Sequence, residues 1–262
     1  MRKLQNDLEN FGIKSNKGAV MKISIIMPTR NRPDNLQRLF DSLIATVADP
    51  LNVEVSSRID EDDILSKQVF DNYIGRGFNC RYIIGPRSAE RLNPLWNDAW
   101  KNATGEIYMM SGDDFVFRTP GWDTVIRNEF EKSSDKIRFI FGEDGIQHAA
   151  LGTHGFIHKN WTDALGYFVQ PYCMIYYFDT WNDEIAKMIG RKTYLPNLFF
   201  EHMHHSVQKS PTDALYNEMQ RKGERDDQIW QETAQVRIAE ANKLKSFIER
   251  VRNESANHSA NT

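Results

Sequence analysis

Apolar and polar residues alternate in blocks along the first 115 positions. Residues 22–27 carry Ile23, Ile25 and Ile26 in a run that stops at Pro28. A β-branched run ended by a breaker predicts a strand. Pro33 suits the first turn of a helix, and Leu36, Leu39, Phe40, Leu43 and Ile44 follow at helical spacing. The alternation continues with a strand over 53–59 that ends in Asp60-Glu61-Asp62-Asp63, and a helix over 69–74 closed by Gly75 and Gly77. A third strand over 80–84 ends in Gly85-Pro86-Arg87, and a helix through Leu95, Trp96, Ala99 and Trp100 comes next. A fourth apolar run begins at Ile107 and leads into Ser111-Gly112-Asp113-Asp114. Strands alternating with helices, each strand ending in polar residues, predict an α/β fold. Its sheet is mostly parallel, with a site along one edge.

The second half is less regular. A strand is expected over 138–141, before Gly142-Glu143-Asp144-Gly145. A His- and aromatic-rich stretch covers 154–168, a run of aromatics covers 172–178, and a short helix over 185–189 ends at Gly190. A strand over 194–200 then runs into Glu201-His202-Met203-His204-His205. From 212 to 252 the pattern is charged and helical with sparse apolar positions, which predicts a surface helix or an arm. Residues 253–262 read as a disordered tail. Residues 1–21 read as a polar N-terminal extension, with room for a short helix over 4–11.

Composition narrows the class. The formal net charge of −3 provides no global attraction for nucleic acid or an anionic membrane. Cys80 and Cys173 are far apart and form no metal or redox motif, so a reducing, cytoplasmic setting is expected. No apolar run approaches the roughly 20 residues of a spanning helix, and the polar N-terminus does not read as a signal peptide. Integral membrane contact is therefore not expected.

Glycine-rich phosphate loops are absent: the first strand is followed by Pro28-Thr29-Arg30-Asn31-Arg32, with no Gly-x-Gly-x-x-Gly and no Walker loop. A nucleotide bound without a glycine cradle needs its phosphates neutralised in another way, and a divalent metal is the usual solution. Asp113 and Asp114 offer hard oxygen ligands at a strand end. A plain polar turn would also use Gly-Asp-Asp there. His202 and His204 alternate along an expected strand, which puts two imidazoles on one face; a surface histidine cluster would look the same. Cys173 lies among aromatics and suits a core position. Arg30, Arg32 and Arg87 are candidates for charge-assisted contacts to phosphate. The basic end of the 212–252 segment (Lys243, Lys245, Arg250, Arg252) reads as a solvated face.

Taken in order, residues 22–205 resemble the family 2-like glycosyltransferases of the GT-A fold. Ile25-Ile26-Met27-Pro28-Thr29-Arg30-Asn31-Arg32 is similar to that family's opening strand and nucleotide-contacting loop. Leu95-Trp96-Asn97-Asp98-Ala99-Trp100 is similar to the helix before its metal motif, and Ser111-Gly112-Asp113-Asp114 occupies the Asp-x-Asp position. Leu165-Gly166-Tyr167-Phe168 is similar to its acceptor loop. The resemblance implies inverting transfer of a hexosyl or pentosyl group from a nucleoside-diphosphate sugar, assisted by Mn²⁺ or Mg²⁺. It implies a nucleotide-binding half over 22–115 and an acceptor half over 116–210. Donor contacts would come from Pro28, Thr29, Arg30, Arg32, Asp60, Arg87, Asn97 and Asp113. Asp114 and His202 would hold the metal, with His204 a further candidate from its place on the same strand face. Asp179 would be the base, with Asp183 as second choice and Asp144 more distant. Phe178-Asp179 keeps only one acid of the family's usual pair, and Ser111 replaces a common first acid. The acceptor stays open among a saccharide, a protein and a hydroxymethylated DNA base. A nucleotidyltransferase on a related sheet and a non-catalytic module binding nucleotide sugars or partners are the alternatives.

Overall fold

A computed structural model describes residues 20–76, 79–87, 91–204, 207, 209 and 223–260. The expected helix over 4–11, Gly77 and His205 lie outside the described residues. Eight strands form one sheet in the order β3-β2-β1-β4-β7-β6-β8-β5. In chain order the elements are β1 (Ile23–Thr29), α1 (Pro33–Thr46), β2 (Val53–Asp60), α2 (Ile64–Tyr73), β3 (Asn79–Gly85), α3 (Asn93–Lys101) and β4 (Ile107–Met110). They continue with β5 (Phe115–Phe117), α4 (Trp122–Glu131), β6 (Phe139–Glu143), β7 (Phe156–His158), α5 (Lys159–Leu165), α6 (Phe178–Met188) and β8 (Lys192–His202). Two C-terminal helices, α7 (Asp226–Glu232) and α8 (Ala234–Ala260), complete the described chain.

Strands β1, β2, β3 and β4 run parallel. β7 is antiparallel to both β4 and β6, and β6 is parallel to β8, so β6 and β8 share the direction of β1. The C-terminal ends of six strands therefore face one edge. An antiparallel strand begins where its parallel neighbours end, so the residues leading into β5 and β7 reach the same edge.

Side chains alternate across the sheet and build a core on each face. Ile23, Ile25 and Met27 of β1 pack with Leu36, Leu39, Phe40 and Leu43 of α1, and with residues of α2 and α4. Ile26 points the other way, into a second core with Trp96 of α3, Trp161 of α5, Trp181 of α6 and Leu244 of α8.

Three expectations change. Pro28 does not end the first strand, because β1 runs to Thr29 with Pro28 opposite Arg58. Its missing N–H is tolerated because the pairing with β4 stops at Ile26↔Met110. The C-terminal segment is not a free arm: Arg237, Glu240, Ala241 and Leu244 form a buried stripe against α5 and α6. α8 also runs on to Ala260, so the expected disordered tail is helical up to that residue.

β8 changes partners along its length. Its register with β6 jumps from Gly142↔Leu195 to Glu143↔Phe199, leaving extra residues around Pro196 bulged out. Beyond the bulge β8 pairs with β5, which places Phe115 opposite His202.

Candidate active site

The tips of β1 and β2 form one half of the site. After β1, Asn31 takes a left-handed conformation (φ 52°) and its N–H meets Asp63 Oδ2 at 2.7 Å. This turn aims Arg30 and Arg32 in different directions. Arg30 spans the β2 tip, 3.0 Å from Asp60 Oδ2 and 2.7 Å from Asp62 Oδ2. The Arg30 hydrogen bond, with Arg87 contributing at longer range, holds the exposed Asp62 carboxylate down at about 2. Burial pushes Asp60 the other way, above its ordinary value, against the pull of Arg30 and Arg58. Arg58 itself is buried, reaching Pro86 O at 2.6 Å across Gly85. A Cβ on Gly85 would stand 2.6 Å from an Arg58 guanidinium nitrogen, so any larger residue there would push the guanidinium from its place.

The β4 tip forms the other half. Consecutive carboxylates diverge. Asp113 accepts from the Thr29 hydroxyl at 2.8 Å and from Arg32 Nη1 at 3.1 Å. Burial raises its proton affinity, opposed by Arg32 and reinforced by the neighbouring Asp114. Asp114 turns toward β8, where its Oδ2 lies 3.5 Å from His202 Nε2. His154, on the approach to β7, closes the group: ligand atoms of Asp114, His154 and His202 all lie within 4.8 Å of one another. Ligands around one divalent ion at about 2.0–2.2 Å stand up to roughly 4.4 Å apart, so small side-chain adjustments would bring these three into one shell. The donor set is chemically suitable as well. His154 is buried, and burial and the adjacent His202 lower its pKa to about 3, which leaves a neutral imidazole. A Cβ on Gly112 would stand 2.5 Å from Asp114 Oδ1, so the glycine leaves room for that carboxylate to turn. These residues fit a divalent metal.

The first turn of α6 approaches the same edge, because α6 runs back toward the start of β8. Asp179 lies in that turn, and its Oδ1 accepts the N–H and hydroxyl of Thr180 at 2.7 and 3.2 Å. Burial raises its proton affinity despite those bonds. Asp183 lies one turn further along the helix. Its oxygens meet Lys187 Nζ at 2.6 Å, Lys192 Nζ at 2.7 Å and Gly152 N at 3.1 Å. With both oxygens engaged by two ammonium groups and a backbone N–H, Asp183 reads as structural. Asp144 is similarly occupied. Burial alone would raise its pKa, but the N–H groups of Ile146, Gln147 and His148 and the Thr153 hydroxyl bring it below the ordinary range.

The structure brings together Pro28, Thr29, Arg30, Arg32, Asp60, Asp113, Asp114 and His202 along one edge. Arg87 stands exposed just past the end of β3 on the same side. Two candidates change role. Asn97 donates to Val169 O at 2.8 Å and accepts from Phe168 N and Val169 N, so its amide fixes the loop after α5 and is not free for a donor. His204 follows the end of β8 and packs its ring 5.1 Å from that of His202, while the third position near Asp114 goes to His154. Sequence reasoning missed His154 and Arg58. An arginine in the middle of a strand was the signal for Arg58, because a buried charge needs a purpose.

An open α/β sheet with paired acids at the switch between its two halves, and no glycine-rich loop, defines a GT-A type of nucleotide-dependent transferase fold. The sequence model described as Glycosyl transferase family 2 matches residues 24–209, and the chain belongs to this family. No curated protein matches the chain. Among solved structures, S. aureus TarS 1-349 in complex with UDP-GlcNAc superposes with a TM-score of 0.57 at 14% identity, covering 77% of this chain and 65% of that one. The same TarS segment in complex with UDP gives 0.55 at 15% identity, over 69% of this chain and 60% of that one. The mannosyltransferase PcManGT from Pyrobaculum calidifontis, in complex with GDP-Man and Mn²⁺, gives 0.55 at 10% identity, over 99% and 87%. The chain thus spans less than two thirds of the TarS structures it matches, and the likeness is one of fold. Among the described residues, no helix is long and apolar enough to cross a membrane.

Proposed function

We propose that this chain is a metal-dependent, inverting glycosyltransferase. It moves a sugar from a nucleoside-diphosphate sugar to an acceptor hydroxyl. The observation that carries this reading is the division of labour at the β4 tip: Asp113 is anchored to the β1 loop by Thr29 and Arg32, while Asp114 turns to the histidines. A turn with no binding role would not bury two adjacent carboxylates and fix each separately.

TarS carries UDP-GlcNAc and PcManGT carries GDP-Man with Mn²⁺ in the structures this fold resembles. By analogy, the donor would lie along the same strand edge. Asp60 at the β2 tip would meet the base, and Asp113 would accept a ribose hydroxyl. Arg32 and Arg87 would face the phosphates. Mn²⁺ or Mg²⁺ held by Asp114 and His202 would neutralise the charge that develops on the departing diphosphate. Asp179 would take the acceptor proton as its oxygen attacks the anomeric carbon from the opposite side, and burial makes it a stronger base than an ordinary carboxylate. The acceptor would be a saccharide, a protein or a hydroxymethylated DNA base.

A thermal-shift screen of UDP-, GDP- and dTDP-sugars with Mn²⁺ tests the reading, because a donor that binds the folded state raises the melting temperature. One nucleotide class should stand out. If every donor leaves the melting temperature unchanged, with and without metal, the reading fails. Donor binding with no transfer to any acceptor would leave a binding module.

A further inference from the structure

Asp144, Thr153 and His154 form a hydrogen-bonded chain that donor binding by itself does not require. Thr153 donates its hydroxyl to Asp144 Oδ2 at 2.9 Å. A hydroxyl has one proton to give. The Thr153 oxygen can therefore only accept from His154 Nδ1, which lies 3.1 Å away. Nδ1 thus carries the ring proton, and Nε2 keeps its lone pair. Nε2 is also the atom on the Asp114 side, since a Cβ on Gly112 would lie 3.7 Å from it and 2.5 Å from Asp114 Oδ1. Phe115 packs on the ring at 4.2 Å between centroids, and His202 meets it nearly perpendicular at 4.6 Å. A carboxylate acting through a hydroxyl on one imidazole nitrogen is the arrangement that orients a metal-bound histidine and fixes its tautomer.

We infer that His154 is a resident metal ligand. With Asp114 and His202 it forms a two-imidazole, one-carboxylate site that loads a transition-metal ion before any donor arrives, and that discriminates against Mg²⁺. This rests on the reading of Asp114 and His202 as metal ligands and goes beyond it. A site with one carboxylate depends on substrate phosphates to hold its ion, and Mg²⁺ suits such oxygen-rich surroundings. Two imidazoles supply extra affinity from the protein for first-row transition ions over Mg²⁺, most for Co²⁺ and Zn²⁺ and least for Mn²⁺. Three protein ligands still leave positions for a diphosphate. Thr153 is a positioning residue, acting only through His154.

The test uses the full chain, stripped with a chelator and titrated with Mn²⁺ without nucleotide, with free ion followed by electron paramagnetic resonance. One ion should bind per chain, with spin-echo modulation from two imidazole nitrogens. Tenfold excess Mg²⁺ should leave it bound, and Co²⁺ should displace it. His154→Gln should lose one nitrogen coupling and weaken Mn²⁺ binding at least roughly tenfold, and Thr153→Val should weaken it by a similar factor. The inference is overturned if Mn²⁺ stays free until a nucleoside diphosphate is added, or if His154→Gln binds within twofold of wild type. Should His154→Gln fail to fold, the wild-type nitrogen count decides, and a single imidazole overturns the inference. Donor binding separates the two readings. Mn²⁺ held by two imidazoles in a protein that binds no nucleotide sugar sinks the transferase reading alone. Transfer at the wild-type rate by His154→Gln with Mg²⁺ sinks this inference alone.

Discussion

Asp113 and Asp114 are adjacent in the chain, yet their carboxylates answer to opposite halves of the sheet. Asp113 meets Thr29 on β1 at 2.8 Å, and Asp114 lies 3.5 Å from His202 on β8. The two halves of the molecule are joined at this peptide.

Removing Arg32 should uncouple them. Asp113 is 5% exposed, and Arg32 is its cationic partner. Breaking a buried pair by deleting one member costs about 3–5 kcal/mol, and Arg32 retains some exposure, so Arg32→Ala should lose about 2–4 kcal/mol in urea unfolding. Donor affinity should fall in parallel. Unchanged stability would mean that Asp113 is solvated and not held.

Asp179→Asn and Asp183→Asn should fail in different ways. Asp179→Asn should keep donor binding and the melting temperature while turnover falls on the order of a hundredfold or more. Asp183→Asn leaves Lys187 and Lys192 without their shared carboxylate, so stability should fall first. Comparing kcat with the melting temperature for both variants checks this. Full activity in Asp179→Asn would move the base elsewhere.

Stability should decline in mild acid through His158. This buried imidazole caps α5 by accepting the Asn160 N–H at 3.2 Å, which a protonated ring cannot do. Burial, then Lys136 and Lys159, lower its pKa to about 4. Between pH 6.5 and 4 the unfolded chain binds a proton that the folded chain refuses, so stability falls as pH falls across that window and is flat above it. The slope is about 1.4 kcal/mol per pH unit. His158→Asn retains a capping oxygen without the titration, and its unfolding free energy should fall less steeply by that amount. Equal slopes would contradict the cap.

Glu240 ties α8 to the site. It accepts Trp181 Nε1 at 2.8 Å and the Tyr167 hydroxyl, and Trp181 lies two residues after Asp179 on α6. Glu240→Ala leaves a buried indole N–H unpaired, costing about 1–3 kcal/mol. Turnover should drop more than donor affinity, because α6 carries Asp179, the proposed base. Glu240→Gln, which keeps an acceptor, should be milder in both.

Much of this was legible in the sequence. The strands from Ile23, Val53 and Ile107 are parallel and largely buried on both faces, the strand from Asn79 is a more exposed parallel edge strand, and each ends in polar residues that announce the site. His202 could be picked out because it follows a long apolar strand. His154 could not, because β7 spans only Phe156–His158 and gives no periodic signal. Its place at the edge also follows from β7 being antiparallel, a property of pairing and not of local sequence. The packing of α8 was hidden for another reason. Its buried stripe includes Arg237 and Glu240, which read as solvent-facing until their partners Trp230, Glu184, Trp181 and Tyr167 are seen.

The most direct measurement is nucleoside-diphosphate release from UDP-, GDP- and dTDP-sugars by wild type and Asp114→Asn, with Mn²⁺ and with chelator, over a panel of saccharide, protein and hydroxymethylated DNA acceptors. The account predicts release from one nucleotide class, abolished by chelator and reduced on the order of a hundredfold or more in Asp114→Asn, while its melting temperature is kept. Release that is indifferent to Asp114 and to chelator, or no release with any donor and acceptor, would contradict it.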